Sequence, residues 1–276
     1  PAGIMKGATR FTTNPRELLI AANAAKVIEY SGYFEDGFSM QTGSGGASLA
    51  VTRVLREKMV DRDIKASFIL GGITQQYVEL LEAGMAKKIF DTQSFDMVAA
   101  RSIGENKNHF EIDASFYANP HNKGPAVNKL DFVVLSALEI DTDFNVNVIT
   151  GSDGVLMGAS GGHCDTAAGA KMSVIVAPLI RGRIPTVVDK VTTVITPGET
   201  VDVLVTDRGI AVNPRRQDLI ERLSKARLPL YTIEELKEMA EKITGKPEKI
   251  EFDDKIVAIV EYRDGTVIDV IRKVKI

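Results

Sequence analysis

The 276-residue sequence has no tryptophan and a single cysteine, Cys164. One thiol excludes an internal disulfide framework and fits a reducing, cytoplasmic setting. Histidine is scarce as well, with only His109, His121 and His163. These form no HxH, HxxxH or HExxH pattern and have no cysteine partners, so no metal site is expected. No block of Lys and Arg stands out, and the formal net charge is −3. A nucleic-acid face and a polybasic membrane patch are therefore not indicated. Apolar runs are too short to span a bilayer, and Pro1-Ala2-Gly3 does not begin a signal peptide. Without a start Met, the loop-like opening reads as part of a longer chain. The expected partners are small molecules or proteins.

What is present is ordinary for a globular chain, with 44% hydrophobic and 26% charged residues, enough for one large domain or two small ones. Asn14-Pro15-Arg16-Glu17 combines a capping side chain, a proline at the first helical position and an acid three residues after the cap, so a helix starts there and runs to Gly32. Phe38 to Gln41 reads as a strand, Thr42 to Gly46 as a glycine turn and Ala47 to Met59 as a helix. The grammar repeats with a strand from Ser67 to Leu70, a turn at Gly71-Gly72 and a helix from Gln75 to Glu82. Further strand-length runs lie at Asp131 to Ser136, Asn145 to Ile149, Met172 to Ala177 and Asp202 to Thr206, several apolar on both faces as in covered sheets. This predicts an α/β fold with a central sheet flanked by helices. Residues 215–276 read as a peripheral appendage: helices at Gln217 to Ala226 and, behind a Thr232 cap, Ile233 to Ile243, then a hairpin turning at Asp264-Gly265 in type I′ geometry. No internal repeat or linker is visible, so the pattern reads as one domain.

Two glycine-rich segments carry the chemistry. Gly43, Ser44, Gly45 and Gly46 follow a strand and precede a helix, a place where backbone N–H groups face an anion with the helix dipole behind them. A tight turn needing positive φ explains the same glycines. The segment lacks the Lys of a phosphate-binding P-loop and the spacing of a dinucleotide site. The second segment runs from Thr150 to Ala170 and contains six glycines with polar residues between them, among them Ser152, Asp153 and Gly154. A connection so long and without periodicity points to function. Gly161 and Gly162 can present donors to an oxyanion, as acyl transfer requires. His163 and Asp165 are the candidate side chains beside them, although a histidine there also serves to pin the loop. Cys164 has no basic neighbour to lower its pKa and reads as a small buried residue. Arg181 and Arg183 sit in a proline-bounded loop and suit carboxylate or phosphate, or a solvated turn. Asn119 to Pro125 reads as a structural polar loop.

Six segments in order resemble the family of the bacterial citrate lyase α subunit: Gln41 to Gly46, Phe68 to Thr74, Ser136 to Asp141, Asn145 to Gly154, Gly161 to Asp165 and Thr206 to Pro214. The similarity covers essentially the whole chain. It implies a CoA-transferase-like, or sugar-isomerase-like, domain with a mostly parallel sheet, the second of two such domains in a longer subunit. It also implies that citrate displaces acetate from an acyl-carrier thioester, in an oligomeric complex with a β (lyase) subunit and a γ (acyl carrier) subunit. The thiol would belong to a phosphoribosyl-dephospho-CoA group on the carrier, with CoA thioesters as surrogates, so this chain need hold no covalent cofactor.

Better-known members of that superfamily carry a nucleophilic glutamate after a buried strand, and Leu70-Gly71-Gly72-Ile73 stands in its place here. Glycine supplies no carboxylate, so the covalent glutamyl route is closed at this position. Direct attack by a citrate carboxylate through a mixed anhydride remains, with the protein positioning and stabilising charge. On this expectation Gly71, Gly72, Gly161 and Gly162, with His163 and Asp165, act on the reacting carbonyl. Gly43, Ser44, Gly45, Gly46, Ser152, Asp153 and Gly154 hold the thioester or carrier, and Arg181 or Arg183 clamps citrate. A thioester hydrolase, another acyl-CoA transferase, or a non-catalytic sensor or interaction domain are the alternatives on the same scaffold.

Overall fold

In a computed structural model, which describes residues 12–43 and 45–275, Asn14 caps the first helix as its side chain accepts from the Arg16 N–H at 3.0 Å. Helix α1 (Pro15–Tyr30) buries Ile20, Ala21, Ala24, Val27 and Ile28 completely, one apolar stripe at helical spacing. The backbone divides into two compact units, the first running to Leu135 and including Gly169–Met172, the second taking Ser136–Ala168 and everything from Ser173 onward. The division falls at Leu135, within what the sequence reads as one body, and not at residue 215.

The first unit is a run of βα steps: β1 (Ser39–Thr42), α2 (Gly46–Arg62), β2 (Phe68–Ile73), α3 (Gln75–Glu82), β3 (Ile89–Ser94), α4 (Met97–Glu105), β4 (His109–Glu111), α5 (Ala114–Ala118) and β5 (Phe132–Ser136). Its strand order is β5-β1-β2-β3-β4, and every neighbouring pair is parallel. All four residues of β1 and Phe132 to Leu135 are buried, the pattern of strands covered on both faces. Asp63 ends α2 in the left-handed conformation, φ 50°. Gly71 and Gly72 are not a turn. They lie inside β2, where the register with β3 shifts between them as in a β-bulge. The stretch from β3 to α5 has no clear hydrophobic period, but Asp96 and Asp113 cap α4 and α5.

The second unit holds β6 (Glu139–Asp141), β7 (Val146–Asn147), α6 (His163–Gly169), β8 (Met172–Val176), β9 (Ile180–Arg181), β10 (Ile184–Pro185), β11 (Val187–Val188), β12 (Val203–Val205), β13 (Ile210–Val212), α7 (Gln217–Leu223), β14 (Leu230–Tyr231), α8 (Ile233–Thr244), β15 (Phe252–Glu261) and β16 (Val267–Val274). Here β8-β12-β13-β14 lie side by side, and only the β12–β13 pair is antiparallel. Thr232 and Glu235 form a reciprocal capping box at α8. The expected strand at Asn145 to Ile149 shrinks to two residues because the Asn147 side chain folds the following backbone back on itself. The hairpin turn is also different from expectation. Gly265 has φ +86° while Asp264 is not left-handed, and Gly265 N–H donates to Tyr262 O at 2.9 Å. That is a type I turn closed by a left-handed glycine, not type I′.

Candidate functional site

Asn147 builds the start of the glycine-dense segment. It is fully buried, and its Oδ1 accepts from the Ile149 and Thr150 N–H groups and from Thr150 Oγ1, each at 3.1 Å. Its Nδ2 donates to Thr150 O and to Glu139 Oε2, both at 2.8 Å. The chain then doubles back: Gly151 N–H donates to Val155 O at 2.8 Å and Met157 N–H to Ile149 O at 2.6 Å. Gly154, at φ +77°, makes the reversal.

This turn is one wall of a cavity of about 530 Å³ lined by Gly151–Asp153, Met157, Arg181, Arg183–Pro185 and Thr244–Glu248. It brings together four residues singled out in the sequence, Ser152, Asp153, Arg181 and Arg183, and leaves Gly154 out of its lining. Arg181 donates through Nη2 to Leu138 O at 2.6 Å. Burial pulls its guanidinium below its usual pKa, and the nearby Glu139 charge opposes that shift. Glu139 is itself buried and accepts from the Thr192 N–H at 2.8 Å. One carboxylate thus bears on the turn through Asn147 and on Arg181 through its field. Arg181 Nε and Ser152 Oγ are buried with no hydrogen-bond partner, which costs each the loss of its hydration. Sequence reasoning missed the wall from Thr244 to Glu248, which lies in the segment read as peripheral.

The hairpin is not peripheral to this segment. Val260 and Ile271 join Ile149 and Ile195 in one apolar cluster, and Asp269 Oδ2 accepts from the Val194 N–H at 2.7 Å. A Cβ at Gly154 would lie 2.8 Å from Val274 and 3.1 Å from Phe252, so only glycine lets the hairpin close over the turn.

His163 and Asp165 begin α6. His163 Nε2 meets Ser136 O at 2.9 Å and Nδ1 meets Thr196 Oγ1 at 2.6 Å. A carbonyl only accepts, so Nε2 carries the proton and Nδ1 accepts from the threonine. Burial lowers the His163 pKa to about 4. The imidazole is neutral with both nitrogens engaged, which is the geometry of a pin. Asp165 is raised by burial, against which Arg263 works from 3.7 Å. Burial and the Asp165 charge push the Cys164 thiol up to about 11, far from a reactive thiolate.

Gly161 and Gly162 lie in the second unit just before α6, Gly161 at φ +51° and Gly162 O accepting from the Thr166 N–H at 3.0 Å; the other candidates lie in the first unit. Gly43 N–H donates to Val134 O at 2.9 Å; Ser44 lies outside the described residues. Gly45 caps α2 without a side-chain bond, and a Cβ at Gly46 would lie 2.5 Å from Glu17 Oε2. The chain's own carboxylate therefore already faces this helix start, where the dipole favours it. At Gly71, φ is +106° and a Cβ would lie 2.7 Å from the Gln41 side chain; Gln41 in turn donates to Tyr117 Oη at 3.0 Å. The Phe95 ring occupies the Cβ space of Gly72. Among the described residues no group of three or more His, Cys, Asp or Glu is placed to hold a metal, and no helix is long and apolar enough to cross a membrane.

Comparison with known proteins places this geometry in a family. The profile of the citrate lyase alpha subunit (CitF) matches residues 1–274. The citrate lyase alpha chain of Haemophilus influenzae is 65% identical over 275 residues, covering 100% of this chain and 55% of that protein. The citrate lyase alpha chain of Klebsiella pneumoniae is 64% identical over 275 residues, covering 100% and 54%. A crystal structure from Streptococcus mutans, described as the alpha subunit of citrate lyase in complex with citrate, superposes with a TM-score of 0.97 at 62% identity, covering 98% of this chain and 53% of that one. The chain spans about half the length of the curated relatives it matches. It belongs to the citrate lyase alpha-subunit family.

Proposed function

We propose that the chain works in the acyl-exchange step of citrate lyase, in which citrate displaces acetate from a thioester on an acyl carrier. A citrate carboxylate oxygen attacks the thioester carbonyl and expels the thiolate, giving a citryl–acetyl anhydride. The thiolate then attacks the citryl carbonyl and expels acetate, so the carrier leaves as the citryl thioester. The thiol belongs to a phosphoribosyl-dephospho-CoA group on a γ subunit, and a β subunit cleaves the citryl-carrier to oxaloacetate and acetyl-carrier, in a cytoplasmic oligomeric complex. Glycine N–H groups at Gly161 and Gly162 polarise the carbonyl, and Arg181 or Arg183 holds citrate by its carboxylates.

The observation that carries the direct route is the crowding at Gly71 and Gly72. Where related enzymes hold a glutamate, Gln41 and Phe95 fill the space a side chain would need, so this place supplies no covalent nucleophile. Steady-state kinetics with acetyl-CoA and citrate test the reading, with intersecting double-reciprocal lines expected. Parallel lines, or an enzyme thioester trapped by borohydride, would overturn the direct route. Release of acetate without citrate would mark a hydrolase, and no citrate-dependent exchange a binding domain. Arg181→Ala and Arg183→Ala are expected to raise the citrate KM by roughly tenfold or more, and an unchanged KM in both removes the clamp.

A further inference from the structure

Strand β15 has ten residues and pairs only with β16. The described residues place no strand on its other side, so a row of backbone N–H and C=O groups lies along an open edge. Val260 and Ile271 anchor the hairpin in an apolar cluster, but residues 254–259 are all exposed. Ile256, Val257 and Ile259 stand open at 49%, 55% and 54%. A long apolar edge is a template for another strand, and proteins that must stay unpaired blunt it with proline or an excess of charge. Residues 255–261 contain no proline and no glycine, and their one Lys and one Glu cancel.

The order of the residues says what that strand is. Lys255-Ile256-Val257-Ala258-Ile259-Val260-Glu261 reads almost alike in both directions, with two β-branched residues on each side of Ala258, a cation at one end and an anion at the other. Laid antiparallel on a copy of itself about Ala258, it sets Val257 opposite Ile259, Ile256 opposite Val260 and Lys255 opposite Glu261, each pair occurring twice by symmetry. A slip of one residue sets Asp254 against Glu261 in one direction and Ile256 against Glu261 in the other, so the charges select a single alignment. Among the described residues neither Lys255 nor Glu261 has an ion-pair partner within the chain. We propose that β15 is the contact between two copies of this chain, pairing antiparallel about Ala258 so that two hairpins become one four-stranded sheet. A lone two-stranded hairpin is marginal in water, and the added strands give it the width a stable sheet needs. The proposal is independent of the acyl-exchange reading.

Sedimentation velocity of the 276-residue chain over a concentration series is the test, with circular dichroism to confirm that each variant folds. The wild type is expected to form a dimer. Lys255→Glu and Glu261→Lys each set like charges opposite one another at both ends of the pairing, and each is expected to weaken the dimer at least about tenfold. The double variant Lys255→Glu/Glu261→Lys merely exchanges the two charges and should recover the wild-type Kd to within about threefold. Both positions are exposed, and general damage from the two substitutions would add rather than cancel. Ala258→Cys brings two thiols together on the axis, while the native Cys164 is buried, so a bismaleimide is expected to link the variant into dimers and leave the wild type unlinked. A chain monomeric at every concentration, as it would be if this edge served a different protein, overturns the proposal. So does a dimer indifferent to the single charge reversals, a double variant no tighter than the singles, or an Ala258→Cys chain that does not cross-link.

Discussion

Gly71-Gly72 and Gly161-Gly162 are the same dipeptide put to different uses. In the first unit the pair sits inside a buried parallel strand, and the space where side chains would stand is filled by the Gln41 amide and the Phe95 ring. In the second unit Gly161 is exposed, has φ +51° and meets nothing within 4 Å of a Cβ. Crowding, joined at Gly71 by a positive φ, fixes the first pair; at Gly161 backbone conformation alone asks for glycine. A glycine pair read from sequence as an open set of N–H donors is therefore, at one place, a packing device that also denies a nucleophile its position.

Substitutions separate the two causes. Gly71→Ala combines a φ of +106° with a contact of 2.7 Å to Gln41, and is expected to destabilise the fold by about 4 kcal/mol in urea denaturation. A loss under about 1 kcal/mol would mean that the crowding relaxes freely and that a side chain is tolerated there.

Next in size is the pin behind the second pair. Burial lowers the His163 pKa from 6.5 to about 4, so the unfolded chain binds a proton that the folded chain refuses. The contribution is fully present above pH 6.5 and is lost as pH falls towards 4, up to about 3 kcal/mol. Comparing urea midpoints of wild type and His163→Asn between pH 7.5 and 4.5 checks it. The wild type should lose more stability over that window, and identical pH profiles would show that His163 is not held neutral.

Gly72→Ala is expected to cost about 2 kcal/mol, less than Gly71→Ala, because Phe95 is 38% exposed and its ring can swing out. Coupling decides the cause. In Gly72→Ala/Phe95→Ala the added methyl finds room, so the double variant should be more stable than the sum of the singles by about 1 kcal/mol. Additive losses would point to backbone strain in the bulge instead.

The same contrast explains what the sequence revealed. The βα steps of the first unit were legible because each follows a local rule: Asn14 and Pro15 start α1, a glycine run separates β1 from α2, and Gln75 to Glu82 shows its helical period. The Gly71-Gly72 bulge was not, since a turn and a bulge share the residue type and only the neighbouring strand and Phe95 distinguish them. In the second unit Ser152, Asp153, Arg181 and Arg183 were recognised as site residues by composition. Their framework was hidden because it is made by single buried polar side chains, Asn147 and Glu139, whose partners are up to 53 residues away. Likewise nothing in Thr244 to Glu248 announces a cavity wall; it becomes one only when α8 is placed.

The smallest effect expected is at Gly161, and it is the sharpest test of the contrast. His163 N–H donates to Ser160 O at 3.2 Å, so Gly161 is the first central residue of a tight turn and its positive φ is what the turn demands. Alanine meets no neighbour there, and its only cost is the left-handed conformation, about 1 kcal/mol. Asparagine tolerates that region, so Gly161→Asn should recover roughly half of the loss. Both variants keep the backbone N–H, so a role for Gly161 as a donor predicts that acyl exchange changes little while stability falls in the order glycine, asparagine, alanine. If exchange collapses in Gly161→Ala at unchanged stability, the open space above Gly161 is itself occupied by substrate, and steric access rather than φ is the reason for glycine.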